Sequence, residues 1–256
     1  MPRRLGQHFL IRESVLEQLA TAACGVHTSR IIEIGPGRGA LTRHLLKRAG
    51  EVHAIELDVN LVSYLLRKFV SEPKLHVHTA DVLTADLAQW GPAIITGNLP
   101  YYITSPIIEK FLSLDAQFPL AVFLMQWEVA QRILARPGSR DFGYLTVSTQ
   151  LTCEVELICK VPPAAFAPPP KVDSAAVRFI RKSEIPADLP GLLQFVGRCF
   201  AQKRKTLRNN LRPHYGERID VLPEARLRAE QLNVKDFIRL RSLLEAQQTA
   251  SSRSVH

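Results

Sequence analysis

Between residues 12 and 125 short β-rich apolar runs alternate with helical patterns, and this alternation constrains the fold more than any other feature of the chain. Residues 30–34, 51–57, 75–79, 93–96 and 120–125 read as strands, with helices expected over 39–49, 58–70 and 105–114. A strand that must pass through a helix before the next strand returns parallel to its predecessor, so the pattern predicts a doubly wound sheet. Val15, Leu16, Leu19 and Ala23 give a leading helix an apolar face. Asp58 is placed to cap the helix after the second strand, and Ser105-Pro106 marks another helix start. A helical stretch over 127–136 ends at Pro137-Gly138-Ser139, and 143–152 fits a strand or a helix equally. Residues 154–161 and 174–180 read as an antiparallel pair flanking the proline-rich loop 162–170. Beyond Ile185-Pro186 only short helices are expected. The expected fold is therefore α/β, a Rossmann-like, doubly wound, mainly parallel sheet over 1–184 with a small C-terminal helical domain over 185–256.

The charge is divided along the same line. Residues 181–256 hold 15 Lys and Arg against 8 Asp and Glu, whereas residues 1–180 hold 18 against 16. A basic appendage on a nearly neutral body suits a polyanion-binding module joined to a catalytic unit. Arg3 and Arg4 are followed by no apolar leader, and no apolar run approaches the length of a membrane span, so a cytoplasmic protein is expected. Cys24, Cys153, Cys159 and Cys199 lack CxxC spacing and read as reduced, mostly buried thiols.

Chemistry concentrates at the predicted carboxyl ends of the strands, where doubly wound sheets bind ligands. Glu33-Ile34-Gly35-Pro36-Gly37-Arg38-Gly39 follows the first strand and permits a tight turn with close backbone approach. Its GxGxG spacing differs from the GxGxxG of dinucleotide sites, and Glu33 suits a ligand carrying an ammonium or sulfonium better than one carrying phosphates. Glu56 ends the second strand, where a carboxylate can accept from both ribose hydroxyls, and Asp81 follows the third, placed to accept from an adenine amine. Asn98-Leu99-Pro100-Tyr101 ends the fourth. An exocyclic base amine is a poor nucleophile because its lone pair is delocalised; the Asn98 side-chain oxygen and the Leu99 carbonyl could accept its two hydrogens and aim that pair. Pro100 holds Leu99 extended, and Tyr101 offers a ring for stacking. The order of glycine turn, Glu, Asp and Asn matches S-adenosylmethionine followed by an amine acceptor.

With these motifs the chain resembles the bacterial small-subunit ribosomal RNA adenine N6,N6-dimethyltransferases, through Leu5-Gly6-Gln7-His8-Phe9-Leu10, residues 33–42, residues 55–58, Asp81, residues 97–101, residues 166–174 and residues 202–211. The resemblance implies His8, Leu10, Gly35, Glu56, Asp81 and Asn98 as cofactor contacts, and Phe166 stacking on a flipped adenine opposite Tyr101. It implies a class I methyltransferase that dimethylates two adjacent adenines in the 3′-terminal hairpin loop of small-subunit rRNA during ribosome assembly. The amine would attack the sulfonium methyl in line, with the thioether as leaving group and without a metal or covalent enzyme intermediate, and the enzyme is expected to be a monomer. His8, Tyr102 and Trp127 depart from the residues common in the family.

Lys203, Arg204, Lys205, Arg208 and Arg212 are expected on one helix opposite a stripe of Phe200, Leu207 and Leu211, as an RNA-contacting face. His76 and His78 alternate along one strand face, but the sequence offers no third ligand beside them, so they read as structural and no metal is expected. Competing functions are a nicotinamide-dependent oxidoreductase, a non-catalytic RNA-binding assembly factor, and a large-subunit rRNA methyltransferase of the macrolide-resistance type.

Overall fold

The computed structural model describes residues 8–25 and 28–253, with side chains described through residue 246. Leu5, Gly6 and Gln7 of the first motif, and Arg3 and Arg4, lie outside the described residues. A seven-stranded sheet is built from β2 (Thr28–Ile34), β3 (Ala49–Glu56), β4 (Leu75–Thr79), β5 (Ile94–Asn98), β6 (Leu120–Gln126), β7 (Cys153–Val161) and β9 (Ser174–Arg181). Its order is β4-β3-β2-β5-β6-β9-β7. The first five run parallel, and β9 is antiparallel to both β6 and β7. A separate two-stranded pair joins β1 (Phe9–Leu10) to β8 (Phe166–Ala167), setting Leu10 opposite Phe166.

The central strands follow from their composition. Ile31, Ile32, Val52, Ala54, Ile95, Val122 and Leu124 are fully buried, as expected of strands covered on both faces. The helix α1 (Glu13–Ala23) buries Val15, Leu16, Leu19, Ala20 and Ala23 in the same core as Ile31, Val52, Val122 and Leu124. In α3 (Val59–Lys68) the Asp58 carboxylate accepts from the Asn60 amide at 2.8 Å, as the capping pattern predicts. The helix expected over 39–49 is reduced to α2 (Thr42–Leu45). Turns after the glycine segment occupy its start, and β3 already pairs at Ala49 with Thr28, which ends it early. Next, α4 (Thr104–Ser113) begins one residue before Ser105.

The chain divides into two compact units, 1–130 with 153–181, and 131–152 with 182–256. The boundary at 184 therefore describes only the last crossing. The chain enters the second unit within α5 (Trp127–Ile133), and the ambiguous segment is the helix α6 (Tyr144–Thr152) belonging to that unit. Its Val147 and Leu151 are buried with Phe142, Leu192, Phe195 and Leu240 in the second core. The remaining helices of this unit are α7 (Leu189–Cys199), α8 (Leu207–Tyr215) and α9 (Val234–Arg253). All four cysteines are free thiols. Among the described residues no helix is long and apolar enough to cross a membrane.

Candidate active site

The order of the sheet reverses at β2, with β3 and β4 on one side and β5 and β6 on the other, and the crevice beyond such a reversal is where ligands are received. A pocket opens there. It is lined by His8, Leu10, Glu33, Gly35, Glu56, Asp81, Asn98, Leu99, Pro100 and Tyr101. Residues from five parts of the sequence thus converge, because parallel strands deliver their carboxyl ends to one edge.

The glycine turn shapes the floor. Gly37 has φ of +55°, and a Cβ there would stand 3.0 Å from the Phe9 ring. Gly39 has φ of +75°, and a Cβ would meet Phe69 at 2.5 Å, so the turn closes between two aromatic rings with no room for a side chain. Phe9 also carries the Arg38 guanidinium 4.9 Å above its ring.

Each acid is held by a distinct set of donors. Glu56 accepts from the Leu57 and Asp58 amides on Oε1, at 2.9 and 3.0 Å, and from the Gly37 amide on Oε2 at 3.2 Å. Three backbone donors fix this carboxylate while leaving acceptor capacity on Oε2. Asp81 accepts from the Leu83 amide on Oδ1 at 2.9 Å, so it caps a turn with one oxygen and keeps the other. Glu33 is 1% exposed, and the Thr42 hydroxyl donates to it at 2.6 Å. Burial raises its pKa to about 7; the Thr42 hydrogen bond opposes the shift and the nearby Glu56 charge adds to it.

At the end of β5 the chain is anchored on both sides. The Leu99 amide donates to Leu124 at 2.9 Å, and the Asn98 Nδ2 donates to the His8 carbonyl at 2.9 Å. That bond uses one of the two Asn98 N–H donors and fixes the amide so that Oδ1 is its acceptor side. The Tyr101 hydroxyl bonds Ser174 Oγ at 2.8 Å, which joins the tetrapeptide to the end of the proline-rich motif, and burial raises the Tyr101 pKa. His8 donates from Nδ1 to the Pro168 carbonyl at 2.8 Å, and its ring stacks on Tyr101 with centroids 5.6 Å apart.

Phe166 is placed differently from the expectation. It is 3% exposed, packs in the core with Leu10, and is absent from the residues lining the pocket. The cause is β1, whose pairing with β8 turns this ring inward; the ring stacked on Tyr101 is His8. Sequence reasoning passed over Phe9 and Val82, which also line the pocket, and the immediate neighbourhood of His8 and Asp81 was the available signal.

The basic run also departs from the single-helix expectation. Lys203, Arg204 and Lys205 lie on an exposed turn between α7 and α8, since the helix ends at Cys199 and restarts at Leu207. Asn210, 6% exposed, holds the turn by donating to the Cys199 and Gln202 carbonyls at 2.7 and 3.2 Å. Lys203 Nζ donates to the Arg140 carbonyl at 2.5 Å. Arg208 is on α8 and pairs with both oxygens of Asp220, at 2.8 and 3.2 Å, and Arg212 lies 3.7 Å from the same carboxylate.

Residues 2–246 match the family model described as ribosomal RNA adenine dimethylase. A protein of Thiobacillus denitrificans named ribosomal RNA small subunit methyltransferase A is 40% identical over 243 residues, covering 92% of this chain and 94% of that protein. Its namesake in Acidobacterium capsulatum is 41% identical over 216 residues, covering 82% and 76%. Among solved structures, a dimethyladenosine transferase from Plasmodium falciparum superposes with a TM-score of 0.80 at 28% identity, covering 91% of this chain and 96% of its own. The 23S rRNA methyltransferase ErmE superposes with a TM-score of 0.70 at 31% identity, covering 93% and 99%. With the pocket at the strand ends and the match along nearly its whole length, the chain belongs to the ribosomal RNA adenine dimethylase family.

Proposed function

We propose that this enzyme transfers methyl groups from S-adenosylmethionine to N6 of adenines in small-subunit rRNA, dimethylating two adjacent adenines of the 3′-terminal hairpin loop. The observation that carries the reading is the Asn98 amide, which an Nδ2 hydrogen bond to His8 orients and whose Oδ1 remains an acceptor beside the glycine turn and the acids of the pocket. The donor set fits the methyl donor. A buried carboxylate at Glu33 suits an ammonium group, Glu56 retains acceptor capacity for ribose hydroxyls, and Asp81 keeps one oxygen for an adenine amine. When bound, S-adenosylmethionine supplies a methyl group made electrophilic by its sulfonium. Leu10 and Gly35 complete the walls on the cofactor side.

Asn98 Oδ1 and the Leu99 carbonyl accept from the target amine, drawing its lone pair out of conjugation and fixing its direction. Pro100 restricts Leu99 to extended geometry, which fixes where that carbonyl points. Tyr101 presents its ring to the base. Catalysis rests on positioning and on preorganised acceptors. Lys203, Arg204, Lys205 and Arg208 supply phosphate contacts, the enzyme acts as a monomer, and it meets the assembling small subunit in the cytoplasm.

Incubation with labelled S-adenosylmethionine and unmethylated small or large subunits, followed by mapping of labelled nucleotides, tests the substrate. Label on adjacent adenines of the small-subunit RNA is expected, and label confined to the large subunit would overturn the reading.

A further inference from the structure

A second cluster of ionisable side chains lies on one face of β3 and β4, apart from the pocket residues. Glu51 and His53 are two residues apart on β3, and His76 and His78 two apart on β4, so each pair points to one side of its strand. The register sets His53 directly opposite His76. Glu51 Oε2 lies 3.7 Å from His53 Nε2 and 3.8 Å from His76 Nε2. One ligand atom from each residue fits within 4.8 Å of the other two.

His53 supplies the independent observation. It is 8% exposed, and its Nε2 is buried without a hydrogen-bond partner. Its Nδ1 lies 3.0 Å from His78 Nε2, and the two rings are nearly parallel at 4°. One of these two nitrogens must donate to the other. If His53 donates from Nδ1, its Nε2 carries an unshared pair directed away from His78, an arrangement common to histidines that bind metals. The Trp90 ring, 5.3 Å from His53 and 4.5 Å from His78, restrains both imidazoles.

We propose that Glu51 Oε2, His53 Nε2 and His76 Nε2 form a binding site for a zinc-class divalent cation that clamps the edge strand β4 to β3. Two imidazoles and one carboxylate are an established donor set for this class, with a fourth position left for water. Metal-ligand bonds of about 2.0–2.1 Å in a tetrahedron require donors about 3.3 Å apart, so the two gaps to Glu51 Oε2 close by about half an ångström and the gap between the two imidazole nitrogens, no more than 4.8 Å, by up to about 1.5 Å. The His76 ring stacks on His53 with centroids 4.8 Å apart and planes at 25°, so cation binding requires it to turn and aim Nε2 at the shared point, and its side chain, 45% exposed, has solvent-facing room for that rotation. Arg30 pairs with Glu51 Oε1, which holds the carboxylate in place and leaves Oε2 to the cation, while its charge weakens the site. His78 is a positioning residue that orients His53.

The test uses the untagged full chain, stripped with a chelator and titrated with Zn²⁺ against a chromophoric competitor, and separately with Co²⁺ followed by visible absorption. One equivalent of Zn²⁺ and a tetrahedral Co²⁺ spectrum are expected. His76→Ala, at a half-exposed position, and Glu51→Gln should each weaken Zn²⁺ binding at least ~10-fold, and His78→Ala by about 10–100-fold. Methyl transfer to rRNA should be unchanged in all three. Binding well below one equivalent overturns the site, as does full-strength binding retained in both His76→Ala and Glu51→Gln.

Discussion

The pocket of the α/β unit and the basic turn of the helical unit are built on opposite plans. In the pocket the acids, Asn98 and Tyr101 are buried or half-buried and tied by named partners: Glu56 to three backbone amides, Asn98 to His8, Tyr101 to Ser174. On the turn the cations are exposed, and two of the arginines that follow share one aspartate. If both regions act as proposed, the contrast separates a surface that works through geometry from one that works through summed charge. A geometric site fails when one atom is lost, whereas an electrostatic surface weakens in small steps.

The largest expected effect lies at Asn98. Replacing it by Ala removes the Oδ1 acceptor and the tether to His8, and should lower kcat by about 100- to 1000-fold while leaving RNA affinity within a few-fold. Single-turnover methylation beside an RNA-binding titration separates the two. Near-normal turnover would erase the distinction between the regions.

Glu33 follows. A protonated Glu33 must lose its proton to meet an ammonium group, so S-adenosylmethionine affinity should rise about 10-fold per pH unit below pH 7 and flatten above it. Glu33→Gln should abolish that slope and bind the donor more weakly. The stability of the ligand-free protein changes in the opposite sense. Because the folded pKa of about 7 lies above the unfolded 4.5, Glu33 contributes stability that is complete below 4.5 and lost as pH rises through 7. Glu33→Gln should therefore melt higher than the parent at pH 8, and calorimetry at pH 5 and pH 8 checks the sign.

The same contrast explains what the sequence made legible. Glu56, Asp81 and Asn98 could be placed because each follows an apolar strand, and parallel strands bring their ends to one crevice whatever the loop details. The burial of Phe166 was not legible because the tertiary pairing of Leu10 with Phe166, between segments 156 residues apart, decides which way the ring faces. The basic run misled for a local reason: charges spaced as on a helix also suit an exposed turn, and Asn210 hydrogen bonds hold that turn open. The second unit took in residues 131–152 because burial of Val147 and Leu151 depends on partners far away in sequence. The neighbourhood of His76 with Glu51 and His53 was invisible while the register of β4 on β3 was unknown.

On the turn, Lys203, Arg204 and Lys205 changed together to Ala should weaken RNA binding and flatten its dependence on salt, by roughly 0.7 to 0.9 in log–log slope for each phosphate the variant no longer neutralises. Methyl transfer at saturating RNA should stay near the parent rate. An unchanged slope would remove the turn from the interface.

The smallest effect is expected at Arg208, and it sharpens the comparison most finely. This arginine lies in the basic stretch, yet its guanidinium already meets both oxygens of Asp220, a carboxylate shared with Arg212. The pair is exposed, so it contributes little to folding, but it cancels charge that would otherwise face a polyanion. Arg208→Ala leaves Asp220 to repel phosphate, whereas Asp220→Asn frees two arginines. If summed charge governs this surface, Arg208→Ala should weaken RNA binding only a few-fold and Asp220→Asn should strengthen it by a similar factor, with both differences shrinking as salt is raised. If Arg208 instead makes one fixed contact that depends on Asp220 to orient it, both substitutions weaken binding and the effect persists at high salt. Titrations of the two variants at two ionic strengths distinguish these outcomes, and the second would move Arg208 from the electrostatic plan to the geometric one.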